Sequence, residues 1–258
     1  MTIAYAGRPF SGFARQEHAR TVAGELDRAI ARIDPLASRV RGASRTDSGV
    51  HASAQRAAFD ASRQLDLRGW ALALTAKLPP EISVVRAASV PVGYEPRKHT
   101  LSKTYRYDIL QSAVRDPFLE GRAWRVDERL NQQWVNQELS ALIGEHDFAA
   151  FRAASDARTN TIRRIFRAEV RTAPHHPRVA EIRVAGNGFL YRMVRIIVGT
   201  AVDVGRGRLA PGAVSRALVS GFRRDLGMTA PAQGLILEQV DLDDEEGHDA
   251  WPPDLGVD

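Results

Sequence analysis

One carboxylate in this 258-residue chain stands among neighbours that could make it react. Asp47 has Arg45 two residues before it and His51 four residues after it, within Arg-Gly-Ala-Ser-Arg-Thr-Asp-Ser-Gly-Val-His-Ala over residues 41–52. Cations close to a carboxylate favour its ionised form, which is the form that serves as nucleophile or base. Gly42, Ser48 and Gly49 permit sharp turns, and alternating apolar runs lie on both sides, so the stretch reads as a loop joining two strands. Loops held by a rigid scaffold are where chemistry concentrates. The plainer alternative is a polar hairpin in which Asp47 bonds its own backbone as an Asx-turn.

Three further stretches carry side chains suited to a nucleotide. In residues 103–109, period-two alternation puts Lys103, Tyr105, Tyr107 and Ile109 on one strand face, and an aromatic beside cations is a stacking platform for an unpaired base. Strand tyrosines that only pack a core are the competing reading. Residues 187–195, Asn-Gly-Phe-Leu-Tyr-Arg-Met-Val-Arg, open a helix that is apolar on most sides. Arg195 in such a helix calls for a carboxylate partner, unless it snorkels to the surface. Residues 205–208, Gly-Arg-Gly-Arg, lack the third glycine of a dinucleotide fingerprint; they read as a helix end that offers Arg206 and Arg208 to phosphate. His175 and His176 stand between Pro174 and Pro177 in an expected loop with no third ligand at metal-like spacing, so no metal site is expected.

The elements that must position these residues follow from hydrophobic period and turn signals. Residues 2–6 read as a strand and 7–16 as a loop. A helix follows on Val22, Leu26, Ile30 and Ile33, capped by Thr21 and stopped at Pro35. Strands are expected at 39–43 and 52–60 around the Asp47 loop, a helix at 66–77, and a strand at 82–90. That order, β-α-β-β-α-β, is the split βαβ or ferredoxin-like unit. Strands at 101–110, 161–171, 178–185 and 235–242, with helices at 131–143 (built on Trp134, Val135, Leu139 and Leu142) and 189–204, repeat the pattern, and a short helix is added at 213–222. The fold expected is therefore α+β: two ferredoxin-like halves, residues 1–98 and 99–258, whose antiparallel sheets pair around a central active-site cleft.

The run from Arg45 to His51 resembles the signature of the pseudouridine synthases that modify the anticodon arm of transfer RNA, the TruA family, in which Arg-Thr-Asp-x-Gly-Val-His carries the one catalytic aspartate. Family-like segments recur in the family's order: Tyr5 with Gly7, Gly12 with Gln16, and residues 103–107, 144–152, 187–199 and 234–237. The chain departs from the pattern at Ala6, where the family usually has Asp, and at Phe13, where it usually has Trp. The resemblance implies that Asp47 is the catalytic nucleophile, that Tyr105 contacts the target base, that Arg195 meets the catalytic aspartate, and that Leu235 lines the uridine pocket. Tyr107 stays with the core. Asp147, Phe148, Phe151 and Arg152 match a family segment to which the residues themselves assign no chemistry.

What the resemblance implies is isomerisation of uridine to pseudouridine at positions 38, 39 and 40 of transfer RNA. The base must leave C1′, rotate and rejoin through C5, so it has first to be flipped out of its stack; stacking on Tyr105 and insertion of Arg45 into the vacated space would offset that cost. No redox step or external group takes part, so no cofactor is expected. Attack by Asp47 on C1′, attack on C6 and proton abstraction from the sugar all remain open at this point.

Charge fits a polyanionic partner. The net charge of +5 hides an acidic tail, residues 241–258, with eight acids and no Lys or Arg; the first 240 residues set 36 cations against 23 acids, a net +13. Only Lys77, Lys98 and Lys103 are lysines, and the arginines' planar forks suit phosphate and base contacts, although a genome-wide Arg and Ala bias would give the same count. No membrane span and no signal pattern are visible, and with no cysteine there are no disulfides or thiolate metal sites, so a cytoplasmic protein is expected. An L-shaped RNA is large beside a chain of this length, and the family uses two subunits to hold it, which points to a homodimer. Two other functions compete: a non-catalytic RNA-binding protein on the same scaffold, and a glycoside or nucleoside hydrolase using Asp47, which would want a second carboxylate as acid.

Overall fold

The computed structural model describes residues 1–243 and 250–252. In chain order its elements are β1 (Thr2–Tyr5), α1 (Val22–Ile33), β2 (Arg41–Gly42), β3 (His51–Ala58), α2 (Leu67–Lys77), β4 (Ile82–Ala88), β5 (Thr100–Gln111), β6 (Trp124–Val126), α3 (Gln132–Ser140), β7 (Gly144–Asp147), β8 (Ile162–Ala173), β9 (His176–Gly186), α4 (Met193–Gly205), α5 (Ala213–Ser220), β10 (Leu235–Leu242) and β11 (Ala250–Trp251). The expected α+β class holds. Of the acidic tail, residues 244–249 and 253–258 lie outside the described residues.

The chain divides into two compact units, Met1–Leu101 with Leu237–Asp258, and Ser102–Ile236. These differ from the halves 1–98 and 99–258 in where the last strand goes. From Leu237 onward β10 groups with the first unit because β3 reaches it: Ser53 Oγ donates to Glu238 O (3.1 Å) and Arg56 Nε to Val240 O (3.3 Å).

In the first unit β1 pairs antiparallel with both β3 and β4, β2 pairs with β3, and β11 with β4. Of the apolar stripe predicted for α1, Val22, Leu26 and Ile30 are buried and Ile33 is half-buried, and Thr21 Oγ1 caps its start by accepting from Gly24 N (3.2 Å). Asp66 caps α2 in the same way through Gly69 N (2.5 Å). The strand expected at 39–43 is only two residues long, because residue 43 onward is drawn into the Asp47 loop.

The second unit runs β5-β9-β8-β7 through antiparallel neighbours, with β6 parallel to β5. Helices α3 and α4 pack together, and Val135, Leu139 and most of α4 are buried. Trp134 departs from its expected place in the α3 stripe: it is 37% exposed, one position off the buried face, directly after Asn131 Oδ1 caps the helix through Trp134 N (3.2 Å). Three expectations on length and kind also change. The helix expected at 189–204 starts at Met193, the one expected at 213–222 ends at Ser220 before a left-handed Gly221, and His176 opens β9 with Nε2 3.4 Å from Asp116 Oδ2. Strands β6, β7 and β11 carry no strong alternating pattern and were not expected.

Candidate active site

The Asp47 loop is built from the main chain outward. Behind it, the amide of the fully buried Gln55 on β3 acts as a substitute strand partner for Ser44, donating from Nε2 to Ser44 O (2.7 Å) and accepting at Oε1 from Ser44 N (3.1 Å). On its other side lies the loop at residues 7–16. Phe13 N donates to Thr46 O (3.1 Å) and Gly49 N to Phe10 O (3.3 Å), while the Tyr5 hydroxyl and Thr46 Oγ1 are 2.7 Å apart. The same loop fixes the start of α1, since Val22 N and Ala23 N donate to Gly12 O and Phe13 O.

Two glycines make this approach possible. A Cβ on Gly7 would stand 1.9 Å from Val50 O, and Gly12, at φ +92°, would put one 2.7 Å from Thr46 O. Phe13 fills the space under Gly42 and stacks on Tyr5 with ring centroids 6.4 Å apart, so the departure from Trp leaves an aromatic wedge in place.

Main-chain bonds frame the turn: the N–H groups of Gly49 and Val50 donate to Phe10 O (3.3 Å) and to the Asp47 main-chain O (3.1 Å). Asp47 is half-buried, and Arg45 beside it is exposed. His51 does not supply the second cation that its position in the sequence suggested. Its Nδ1 accepts from Gly7 N at 3.1 Å, so that nitrogen carries no proton and the buried ring is neutral.

The second unit holds the other candidate residues. Tyr105 and Tyr107 are buried on β5, the alternation placing them on one face. Tyr105 meets the ring of Phe189 edge to face at 5.2 Å. Tyr107 is fully enclosed, donates its hydroxyl to Pro231 O (2.7 Å), and has its phenol pushed far up by burial, with nearby Arg195 opposing. It is a core residue, as expected. Arg195, on the first turn of α4, is half-buried and donates from Nε to Ala230 O (2.8 Å), while Ala230 N donates back to Arg195 O (2.9 Å). Residues 230–235 thus run from Arg195 past Tyr107 to the buried Leu235, and Gly234 admits the Tyr107 ring where a Cβ would lie 2.5 Å from it.

Phe189 has no sequence signal of its own, since 189–204 reads as one helix. Residues 187–192 instead form a turn, signalled by Asn187-Gly188, and it ends on Arg192 at φ +61°. A side chain in that left-handed region costs about 1–2 kcal/mol, so neighbouring contacts must hold it. Asp156 supplies one of them by accepting from Tyr191 N (2.8 Å). The 144–152 segment also gains a structural account: Phe148 and Phe151 are fully buried and in edge contact at 5.4 Å, and Asp147 Oδ1 accepts from Ala149 N (2.9 Å) and Thr161 Oγ1 (2.5 Å).

Arg206 and Arg208, expected to face phosphate, are both paired with acids here. The Arg206 side chain is only 7% exposed and is taken up by Asp127 (3.1 Å) and Glu128, while Arg208 donates to Glu128 Oε1 (3.1 Å). Arg206 holds the Glu128 carboxyl down at about 2. Two acids at residues 127–128 thus hold the end of α4.

A family model described as tRNA pseudouridine synthase matches residues 1–97 and 139–243. The chain belongs to this tRNA pseudouridine synthase family. Among similar curated proteins, one from Geotalea daltonii named tRNA pseudouridine synthase A is 37% identical over 93% of this chain and 97% of its own length. Another of the same name from Geobacter sp. is 38% identical over 93% and 96%, and one from Geobacillus kaustophilus is 38% identical over 94% and 93%. The family match covers the Asp47 loop, Tyr5 and Gly7 before it, and α4 with Arg195; it omits residues 98–138, where β5 carries Tyr105. Among the described residues, no helix is long and apolar enough to cross a membrane.

Proposed function

We propose that the protein isomerises uridine to pseudouridine in transfer RNA, at positions 38, 39 and 40 of the anticodon stem and loop. The observation that carries the reading is the unbroken run of residues 45–51, set on a loop that main-chain bonds to Phe10 and Phe13 hold against the loop at residues 7–16. Family membership over most of the chain and the names of its relatives support the reaction class.

In this reaction the C1′–N1 bond breaks and a C1′–C5 bond forms; C5 gives up its proton and N1 ends protonated, so the product is an isomer and no electrons enter or leave. Asp47 is the nucleophile in this proposal. Arg195 is the cation that keeps it ionised, as a nucleophile requires. Tyr105, backed by the Phe189 ring, is the surface on which the flipped uracil stacks, a contact worth about 1–3 kcal/mol. Arg45, exposed next to Asp47, enters the space the base has left, and Leu235 borders the base. The protein works as a cytoplasmic homodimer in this account, two copies extending one basic surface along the RNA.

The fold is proposed in the same spirit as two split βαβ halves. In the first unit the order β4-β1-β3-β2, with α1 between β1 and β2 and α2 between β3 and β4, supports it; in the second, the β8–β9 hairpin flanked in sequence by α3 and α4 does so.

The test is to incubate the protein with unmodified transfer RNA and map pseudouridine by a base-specific adduct. Pseudouridine at 38, 39 or 40 is expected. Its formation only elsewhere removes the site assignment, and none at all with intact, RNA-binding protein removes the reaction.

A further inference from the structure

The turn at residues 187–192 is held from outside by the loop at 152–158. Asp156 is the centre of that attachment: its side chain is 4% exposed, Oδ2 accepts from Tyr191 N (2.8 Å), and both oxygens take the Arg158 guanidinium, at 2.8 Å from Nε and 2.7 Å from Nη2. Arg158 then spends Nη1 on Phe189 O (3.1 Å). Ala153 N donates to Tyr191 O (3.1 Å), and Arg152 Nη1 to Arg158 O (2.5 Å). One carboxylate and one guanidinium therefore grip the turn at Phe189 and at Tyr191. These are the residues just before the left-handed Arg192 and the first turn of α4, and Phe189 is the ring that meets Tyr105.

We propose that Asp156 is a positioning residue for the isomerisation: acting through Tyr191 N–H and through Arg158, it sets Phe189 against Tyr105 and aims the start of α4, from which Arg195 projects. The inference rests on the proposed roles of Tyr105 and Arg195. Neither Asp156 nor Arg158 touches the base in this account. A left-handed residue that is not glycine does not keep its conformation unaided, and displacement of a supporting ring by about 1 Å suffices to cost about 100-fold in rate. The Arg158 guanidinium holds the Asp156 carboxyl far below the usual carboxylate range, so the grip is present at any pH at which the protein would work.

The experiment uses full-length protein labelled with 3-fluorotyrosine, the Tyr105 fluorine signal being identified by its loss in Tyr105→Phe. Wild type, Asp156→Ala, Asp156→Asn and Phe189→Leu are compared for that signal, for affinity to unmodified transfer RNA, and for the single-turnover rate at saturating enzyme. In Asp156→Ala the rate is expected to fall about 10- to 100-fold with RNA affinity unchanged, and the Tyr105 signal to move toward its position in Phe189→Leu. Asp156→Asn keeps an acceptor for Tyr191 N–H but loses the charge pair, so it falls between the two. If the alanine variant does not fold, the asparagine variant carries the test with the same signs. A Tyr105 signal that stays in place, a wild-type rate at saturation, or a loss confined to affinity overturns the proposal. Failure of the functional reading is separately visible: wild-type protein would form no pseudouridine, while the fluorine signal still answered to Asp156.

Discussion

The Asp47 loop and the turn before α4 are two irregular segments held in opposite ways. The first is fastened largely by main-chain groups: Phe13 N to Thr46 O, Gly49 N to Phe10 O, Val50 N to Asp47 O, and the approach of Gly7 to Val50 O, close enough to exclude any Cβ. The second is fastened largely by charge, through Asp156, Arg158 and Arg152. A loop framed by backbone bonds depends less on any one side chain. A turn laced by side chains depends on each of them, and its residues serve by holding.

That contrast can be broken most severely at Gly7. Gly7→Ala puts a methyl group into the Val50 carbonyl, and overpacking of this kind costs about 1–3 kcal/mol; both the denaturation midpoint and pseudouridine formation should fall. A stable and active Gly7→Ala protein would mean that the backbone approach is not what shapes the loop. A smaller effect is expected at the end of α4. Arg206→Gln loses its bonds to Asp127 and Glu128, so the melting temperature should drop by about 2–4 °C while affinity for RNA stays at the wild-type level. Loss of RNA affinity there, in a protein of unchanged melting temperature, would return Arg206 to the phosphate surface.

The smallest expected effect is in acid. Asp156, bonded by Arg158, and Glu128, bonded by Arg206, have folded-state pKa values below those of the unfolded chain. Between the two values the unfolded chain binds more protons, so stability rises with pH there. These pairs add their full contribution above about pH 5 and lose it as pH falls below about 4. The acid limb of a melting curve should accordingly be shallower in Asp156→Asn than in wild type, with the two curves parallel from pH 5 to 8.

The same contrast explains what could be read beforehand. The residues of the Asp47 loop were legible because a tight backbone approach leaves glycines and a fixed run of residue types in one stretch of sequence. Periodicity and capping residues placed α1 and α2 to within a residue or two, and the Tyr105 face of β5 followed from alternation. Contacts between distant stretches left no local trace. Nothing near His51 shows that Gly7 N occupies its Nδ1, and nothing near Arg206 shows that Asp127 and Glu128 fold back onto it. The start of α4 differs from its expected place because Phe189, Leu190 and Tyr191 continue its apolar run, and the turn is fixed by distant groups such as Asp156, 35 residues before Tyr191, and Arg158.

The central claim is that the Asp47 carboxylate does chemistry rather than holding its loop. Asparagine has nearly the same shape, and main-chain bonds frame the turn, so Asp47→Asn should fold with wild-type cooperativity and bind unmodified transfer RNA. The decisive measurement is a single turnover of that variant with enzyme in excess over RNA. The account predicts no pseudouridine at any time at which wild-type protein has finished; pseudouridine formed at a rate near that of wild type would contradict it.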